Sequence, residues 1–466
     1  MKPRTILFVE PVGAVANIFS RFMSIPLLGP MYLAAMAKAA GYDVSILNEN
    51  ILGRPIAASE LADVDLLCVS CITATIERGK ELSALYRNTR AALHRPSRSI
   101  VGGIHASMLP DDVSEHFDQV VVGEAETLFL DLAEGTIKDP LVRGHRLDNL
   151  DSLPFPDYSL IRGWGKRGLK PVMTSRGCPF DCNFCSVTKM FGRDYRAQSP
   201  SRVWSEISRH VKGTVFFVDD NFCVDLDRSG EILDIMLKNR FSRKWTAQVR
   251  TNVTQRPEFV RKMKQAGCKV VYVGFESINP QTLKDMNKRQ TVDDIRRSIK
   301  VFRENNIMVH GMFILGSDAD TKDMFRTTAE FSKESGLDYV QYSVLTPLPG
   351  TEVFTRMISE GRLLHRNWNY YDGMHVTFAP KQMTANELQR GMIECFGDFY
   401  SYTNAINSAI NASVHAAIAS VENLFRTAHV RSFYPSFIQF MGKGILRQWT
   451  KENKHYLSYL NASSRD

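Results

Sequence analysis

The stretch Arg176-Gly-Cys-Pro-Phe-Asp-Cys-Asn-Phe-Cys185 places Cys178, Cys182 and Cys185 within eight positions, in the spacing C-x3-C-x2-C. It follows the apolar run Lys170–Thr174, which predicts a strand, and Gly177 with Pro179 marks the turn out of it. A loop of this size can wrap three thiolates around one cubic iron–sulfur cluster. Such a cube asks for four ligands, so three local cysteines leave one iron for another donor. Two plainer readings are a zinc site short of its fourth ligand and thiols with no shared task. Structural zinc favours paired C-x2-C spacings, and no partner pair follows nearby. The cluster is the stronger reading.

The C-x3-C-x-aromatic-C pattern resembles the radical S-adenosylmethionine superfamily. The resemblance implies a 4Fe–4S cluster on Cys178, Cys182 and Cys185, with the open iron chelated by the amino and carboxylate groups of S-adenosylmethionine.

The chain has 466 residues, 44% of them hydrophobic and 23% charged, which fits a soluble globular protein of two or three domains and argues against disorder. Its net charge of +8 favours acidic partners without choosing among phosphates, nucleic acid and anionic lipid. Met1-Lys2-Pro3-Arg4 runs straight into a short strand, unlike a secretory signal, and no apolar run approaches the about 18 residues of a spanning helix. The expectation is a cytoplasmic protein whose eight cysteines sit in a reducing compartment, where clustered thiols mean metal.

In residues 1–150, apolar runs at Thr5–Val9, Val44–Leu47, Leu66–Ser70, Ser99–Val101 and Gln119–Val122 alternate with helix-period stretches such as Gly29–Ala40, closed by Gly41. Five such strands predict a doubly wound, Rossmann-like parallel sheet that binds ligands at its C-terminal strand ends. The loops there carry Ser70-Cys-Ile-Thr73, Gly102-Gly103-Ile-His and Gly123-Glu124-Ala-Glu. No G-x-G-x-x-G occurs, so the nicotinamide and flavin fingerprint is absent. The order of these pieces resembles the N-terminal cobalamin-binding domain fused to many radical S-adenosylmethionine enzymes. That resemblance implies cobalamin held by Ser70, Thr73, Gly102, Gly103, Gly123 and Glu124. The D-x-H-x-x-G motif of other cobalamin proteins is missing, which implies a cobalt without a protein imidazole below it. His105 is read as a loop hydrogen-bonding residue, and Cys68 and Cys71 as inert buried thiols.

Residues 151–170, rich in Pro and Gly, read as a linker. Strand runs at Pro171–Thr174, Thr214–Val218, Thr246–Val249, Val270–Phe275, Met308–Leu315 and Tyr339–Leu345 then alternate with helices, predicting a partial (β/α)6 barrel over 171–380. By family resemblance, Phe217, Val218 and Asp219 at the second strand end contact the methionine part of the cofactor. Arg250 suits its carboxylate, Glu276 its ribose or amino group, and Phe184 the adenine edge. Cys223 and Cys268 are read as structural. The aromatic run Trp368–His375 could line a substrate pocket or pack a final strand.

From Thr384, an N-cap with Glu387 completing a capping box, residues 381–466 turn helical. The last helices mix aromatics with Arg426, Arg431, Lys443, Arg447, Lys451, Lys454 and Arg465. A basic aromatic helix can lie on an anionic membrane or simply pack on the barrel. No nucleic-acid-binding module is recognisable.

The resemblance therefore implies an enzyme that cleaves S-adenosylmethionine reductively to a 5′-deoxyadenosyl radical, with a flavodoxin- or ferredoxin-type reductant. The leading expectation is cobalamin-dependent methylation of an unactivated carbon in a lipid, pigment or other secondary metabolite. The alternatives are a non-methylating cyclase or oxidoreductase of the tetrapyrrole or hopanoid type and, outside enzymes, a cofactor-binding sensor.

Overall fold

The computed structural model describes residues 4–13, 25–165, 169–209, 213–410 and 434–463. By compactness the chain parts into two units. One comprises residues 1–220, 347–361 and 365–372; the other comprises 221–346, 362–364 and 373–466.

The first unit opens with β1 (Thr5–Glu10), β2 (Asp43–Asn48), β3 (Leu66–Ser70), β4 (Ser99–Gly102), β5 (Gln119–Val122) and β6 (Leu141–Arg143). These form one parallel sheet in the order β2-β1-β3-β4-β5-β6, one strand more than the five expected. In β1, Ile6 to Glu10 are buried without alternation, as a parallel strand covered on both faces requires. Phe8 stands beside Ile46 of β2 and Cys68 of β3. Helix α1 (Leu28–Ala39) buries Met31, Ala34 and Ala37 against this layer. It ends where Gly41 takes φ +90°, a left-handed value open to glycine, and donates to the Lys38 carbonyl at 3.0 Å. Strand order reverses at β1, between β2 on one side and β3 on the other, so a doubly wound sheet offers its crevice there.

The same unit continues with β7 (Leu169–Val172), β8 (Ser175–Arg176), β9 (Arg196–Ala197) and β10 (Thr214–Phe217). β7 and β10 pair in parallel, and β8 and β9 form a short antiparallel ribbon carrying the cysteine loop between them. Helix α2 (Pro200–Arg209) buries Val203, Glu206 and Ile207.

In the second unit, β11 (Trp245–Val249), β12 (Cys268–Glu276), β13 (Met308–Leu315) and β14 (Tyr339–Val344) pair in parallel in that order. Their crossover helices include Pro257–Gln265, Val292–Glu304 and Asp323–Glu334. Along β13, Val309, Gly311, Phe313 and Leu315 are buried in strict alternation, the two-residue period of a strand. Helix α3 (Ala385–Phe399) starts with the expected Thr384–Glu387 capping box and packs on β14. Two terminal helices follow, α4 (Tyr434–Glu452) and α5 (Lys454–Ser463). No helix among the described residues is long and apolar enough to cross a membrane.

Candidate cofactor site

A cavity of about 610 Å³ lies within the first unit at the C-terminal strand ends of its large sheet. Ser70, Gly102, Gly103, Gly123 and Glu124 line it, as do Phe8, Leu28, Leu33 and Phe129. Ser175, Arg176, Val218, Asp219 and Asp220, from the strand ends that flank the cysteine loop, line it too. Seven of the residues singled out in the sequence therefore share one wall: Ser70, Gly102, Gly103, Gly123, Glu124, Val218 and Asp219.

The glycines are needed for the backbone path. Gly103 sits at φ +98°, and a Cβ there would stand 2.5 Å from the Cys71 carbonyl oxygen. The rim after β4 consequently presents bare backbone to the cavity. Cys68 and Cys71 are buried, and burial pushes both thiols up to about 12, in keeping with inert groups. His105 is buried and lies 3.2 Å by its Nε2 from Asp112, with its ring against Trp368. Trp368 and Tyr371 are buried in packing rather than set into the cavity wall.

An ion-pair cluster fastens the start of the cysteine loop to the end of β5. Arg176 and Arg196 are direct partners across the β8–β9 ribbon, so their side chains leave on the same face. Arg176 reaches Glu124 at 2.7 Å and Glu126 at 2.5 Å. Arg196 pairs with Glu124 as well and donates to the Leu147 carbonyl at 2.6 Å. Burial alone would raise the Glu124 carboxyl, but Arg196 and Arg176 outweigh it and hold the group below its ordinary value. Residue reading marked Glu124 and Arg176 separately and missed that they bind each other.

After Arg176, Gly177 takes φ +85° and packs against the Asp194 backbone, leaving no room for a side chain. The Cys185 amide donates to the Cys182 carbonyl at 3.1 Å, drawing the second and third cysteines together. Burial pushes the Cys185 thiol up to about 12, with Asp220, Cys182 and Cys178 adding to the rise. The three thiols are thus within electrostatic reach of one another. Among the described residues, however, no three His, Cys, Asp or Glu side chains already converge as a metal cage. A soft three-thiol loop fits an iron–sulfur cluster by donor chemistry, and metal binding would displace the proton that burial retains.

Asp219, at the end of β10, ties down the turn before the loop. Its Oδ1 accepts from the Thr174 amide and hydroxyl, each at 3.0 Å, and from the Ser175 hydroxyl at 2.5 Å. Burial, then the charge of Asp219, lifts the neighbouring Asp220 carboxyl to about 7. Glu206 on α2 is wholly buried and rises to about 8, through burial, against Arg202 and with Asp219.

Phe217 is buried within β10, Thr73 within the turn Thr73–Thr75, and Phe184 is half-buried in the cysteine loop; none of the three lines this cavity. In the second unit, the Arg250 guanidinium donates to the Lys288 carbonyl, and Lys288 Nζ pairs with Glu276 at 2.5 Å. Glu276 itself sits at φ +62°, a left-handed value unusual for a side-chain-bearing residue. Cys223 and Cys268 are buried, as expected of structural thiols.

Residues 172–332 match the family model of the radical SAM superfamily, and residues 16–133 match that of the B12 binding domain. The chain is 27% identical over 409 residues to bacteriochlorophyllide d C-12(1)-methyltransferase of Chlorobaculum tepidum, covering 84% of this chain and 87% of that protein. It is 27% identical over 414 residues to the anaerobic magnesium-protoporphyrin IX monomethyl ester cyclase of Cereibacter sphaeroides, covering 79% and 66%. Among solved structures it shares its fold with the cobalamin-dependent S-adenosylmethionine radical enzyme OxsB, solved with aqua-cobalamin and S-adenosylmethionine bound, at TM-score 0.64 and 15% identity over 99% of this chain and 81% of that one.

Fold and matches together define the class: an α/β protein with a B12-binding domain ahead of a radical SAM domain and a helical C-terminal part. The chain carries both domains, B12-binding at residues 16–133 and radical SAM at residues 172–332.

Proposed function

We propose that this protein is a cobalamin-dependent radical S-adenosylmethionine methyltransferase acting on an unactivated carbon of a pigment, lipid or other apolar secondary metabolite. The observation that carries the reading is the shared cavity, whose wall combines the glycine rim of the first sheet with the strand ends beside Cys178, Cys182 and Cys185. When bound, the cluster with S-adenosylmethionine supplies a hydrogen-abstracting radical, and cobalamin supplies transferable methyl.

The chain's own residues would bind, orient and exclude water. Cys178, Cys182 and Cys185 would hold the cluster. Gly102, Gly103 and Gly123, with Ser70 and Glu124, would hold cobalamin at the cavity wall, and Thr73 is assigned to the same cofactor by its place in the loop after β3. Phe184, Phe217, Val218 and Asp219 would meet S-adenosylmethionine, and Arg250 and Glu276 are assigned to the same cofactor by their strand-end positions. The domain reading that goes with this is 1–150 for cobalamin, 151–170 as linker, 171–380 for the barrel and 381–466 as the helical end. It is supported by the family matches at 16–133 and 172–332. A flavodoxin- or ferredoxin-type reductant would supply the electron.

The likeness to a pigment methyltransferase over 84% of the chain favours methyl transfer. The likeness to a magnesium-porphyrin cyclase over 79% keeps a non-methylating ring closure as the second reading, with the same class of planar, largely apolar substrate. Anaerobic turnover with methyl-labelled S-adenosylmethionine and extracted pigment or lipid fractions separates them. Label in product establishes methylation. Deoxyadenosine release with all label left in methionine rejects it in favour of the second reading.

A further inference from the structure

The outer face of the C-terminal helices carries an apolar patch that the cofactor chemistry does not explain. Helix α4 is anchored inward by Gln439, Leu446 and Trp449, and Gly442 lies so close to Tyr400 that a Cβ would stand 2.6 Å from its ring. Its outward side shows Phe437 (58% exposed), Phe440 (53%) and Met441 (45%), at helical positions i, i+3 and i+4. Helical residues 402–410 expose Tyr402, Ile406 and Ile410, each four apart and so on one face. The two stripes meet, since the Tyr402 and Phe440 ring centroids are 4.9 Å apart.

Single exposed hydrophobics are ordinary, but a contiguous group of this size marks a contact surface. Basic residues border it. Lys443 Nζ lies 4.4 Å from the centre of the Tyr402 ring, Arg447 and Lys451 follow exposed along α4, and Lys454 opens α5. Glu452 is the single acid in residues 434–463, and 402–410 contain none. Arg426, Arg431 and Arg465, grouped with these in the sequence, lie outside the described residues.

We propose that this face docks the protein on the anionic surface of a phospholipid bilayer. The aromatic and aliphatic side chains enter the interface, and Lys443, Arg447 and Lys451 sit among the headgroups. Charge selects this occupant. A second copy docking on the same patch would bring two basic borders together, whereas acidic lipid neutralises them. Among the described residues neither helix is long and apolar enough to span, and the proposed contact is peripheral. The inference stands apart from the reaction proposed above, which a bilayer-free assay tests separately.

The test is co-sedimentation of the full, anaerobically reconstituted chain with phosphatidylcholine vesicles, with and without phosphatidylglycerol. Expected is pelleting that requires phosphatidylglycerol and falls as salt rises. F437S/F440S should bind about tenfold more weakly or worse, from lost apolar burial. K443Q/R447Q should lose roughly 25-fold, from about fivefold per charge removed. Iron–sulfur absorbance of each variant checks that it is folded, and the salt dependence of the unaltered protein serves where a variant is not. Absence of phosphatidylglycerol-dependent pelleting overturns the proposal. So does equal binding by F437S/F440S, or a dimer in light scattering that F437S/F440S dissolves and vesicles do not compete away.

Discussion

At the ends of the first sheet the chain offers backbone; at the ends of β10, β11 and β12 it offers charge. Ser70, Gly102, Gly103 and Gly123 line their cavity with little or no side chain. Asp219, Arg250 and Glu276 are charged groups, yet each already has a partner within the chain: Thr174 and Ser175 for Asp219, and Lys288 for the other two. A glycine rim recognises by shape, and its ligand-facing surface can be read directly from residue type. Buried charges are satisfied first by their own fold. Residue type therefore marks where a cofactor would sit more reliably than what it would touch, and S-adenosylmethionine would meet the β10 end through backbone or by exchange into existing bonds.

The largest effect expected from breaking this division comes from the cysteines. Cys178→Ala, Cys182→Ala or Cys185→Ala should abolish the iron–sulfur absorbance of the reconstituted protein and all deoxyadenosine release, while cobalamin absorbance stays with the chain. Loss of both chromophores together would mean that the glycine rim cannot hold its ligand independently of the loop. Arg176→Met comes next, because Arg176 belongs to both sides. It leaves Glu126 buried without its ion-pair partner and Glu124 with Arg196 alone. Breaking a buried pair costs about 3–5 kcal/mol, to be read as a lowered urea midpoint. A shift of under ~1 kcal/mol would show these charges to be idle.

The same contrast explains what could be read from sequence. Strands β3, β5 and β13 are legible because consecutive or alternating apolar residues encode their burial, and the Thr384–Glu387 cap because both partners lie three residues apart. β6 is three residues, Leu141-Val-Arg143, with two of them exposed, and has no pattern to detect. The run Lys170–Thr174 reads as one strand, but β7 stops at Val172 and Ser175-Arg176 pairs instead with Arg196-Ala197. That ribbon is polar and held by ion pairs 50 to 72 residues apart in sequence, which no local period encodes. In the site, the glycines and cysteines announce themselves. Buried Glu206 on α2 does not, since a lone carboxylate on a helix reads as surface until packing buries it.

A smaller effect tests the glycine rim by itself. Gly103→Ala sets a Cβ against the Cys71 carbonyl at a backbone angle of φ +98°, which L-residues rarely adopt. Strain of this kind costs about 1–3 kcal/mol. Because the rim is proposed to bind by shape, cobalamin retention on gel filtration should weaken while iron content stays unchanged. Undiminished retention would place cobalamin recognition elsewhere in the wall.

The last effect concerns charge on the Asp219 side, and it appears only as pH changes. The Glu124 carboxyl is held below its ordinary value by two arginines, whereas Glu206, with Asp219 nearby, is raised from 4.5 to about 8. A carboxyl raised in the folded state stabilises fully below its unfolded value, and that contribution is lost as pH climbs through the folded one. Stability should therefore decline between pH 4.5 and about 8 for this group and level off above. Glu206→Gln keeps the shape without the charge. It should match the unaltered protein near pH 4.5 and exceed it in thermal midpoint above pH 8. Glu10, raised to about 7 by burial, slopes the same way and stays in both proteins, so the difference between the two curves isolates Glu206. Superimposable curves at high pH would mean that Arg202, which lowers this group, already neutralises it. The Asp219 side would then carry no more uncompensated charge than the Glu124 side.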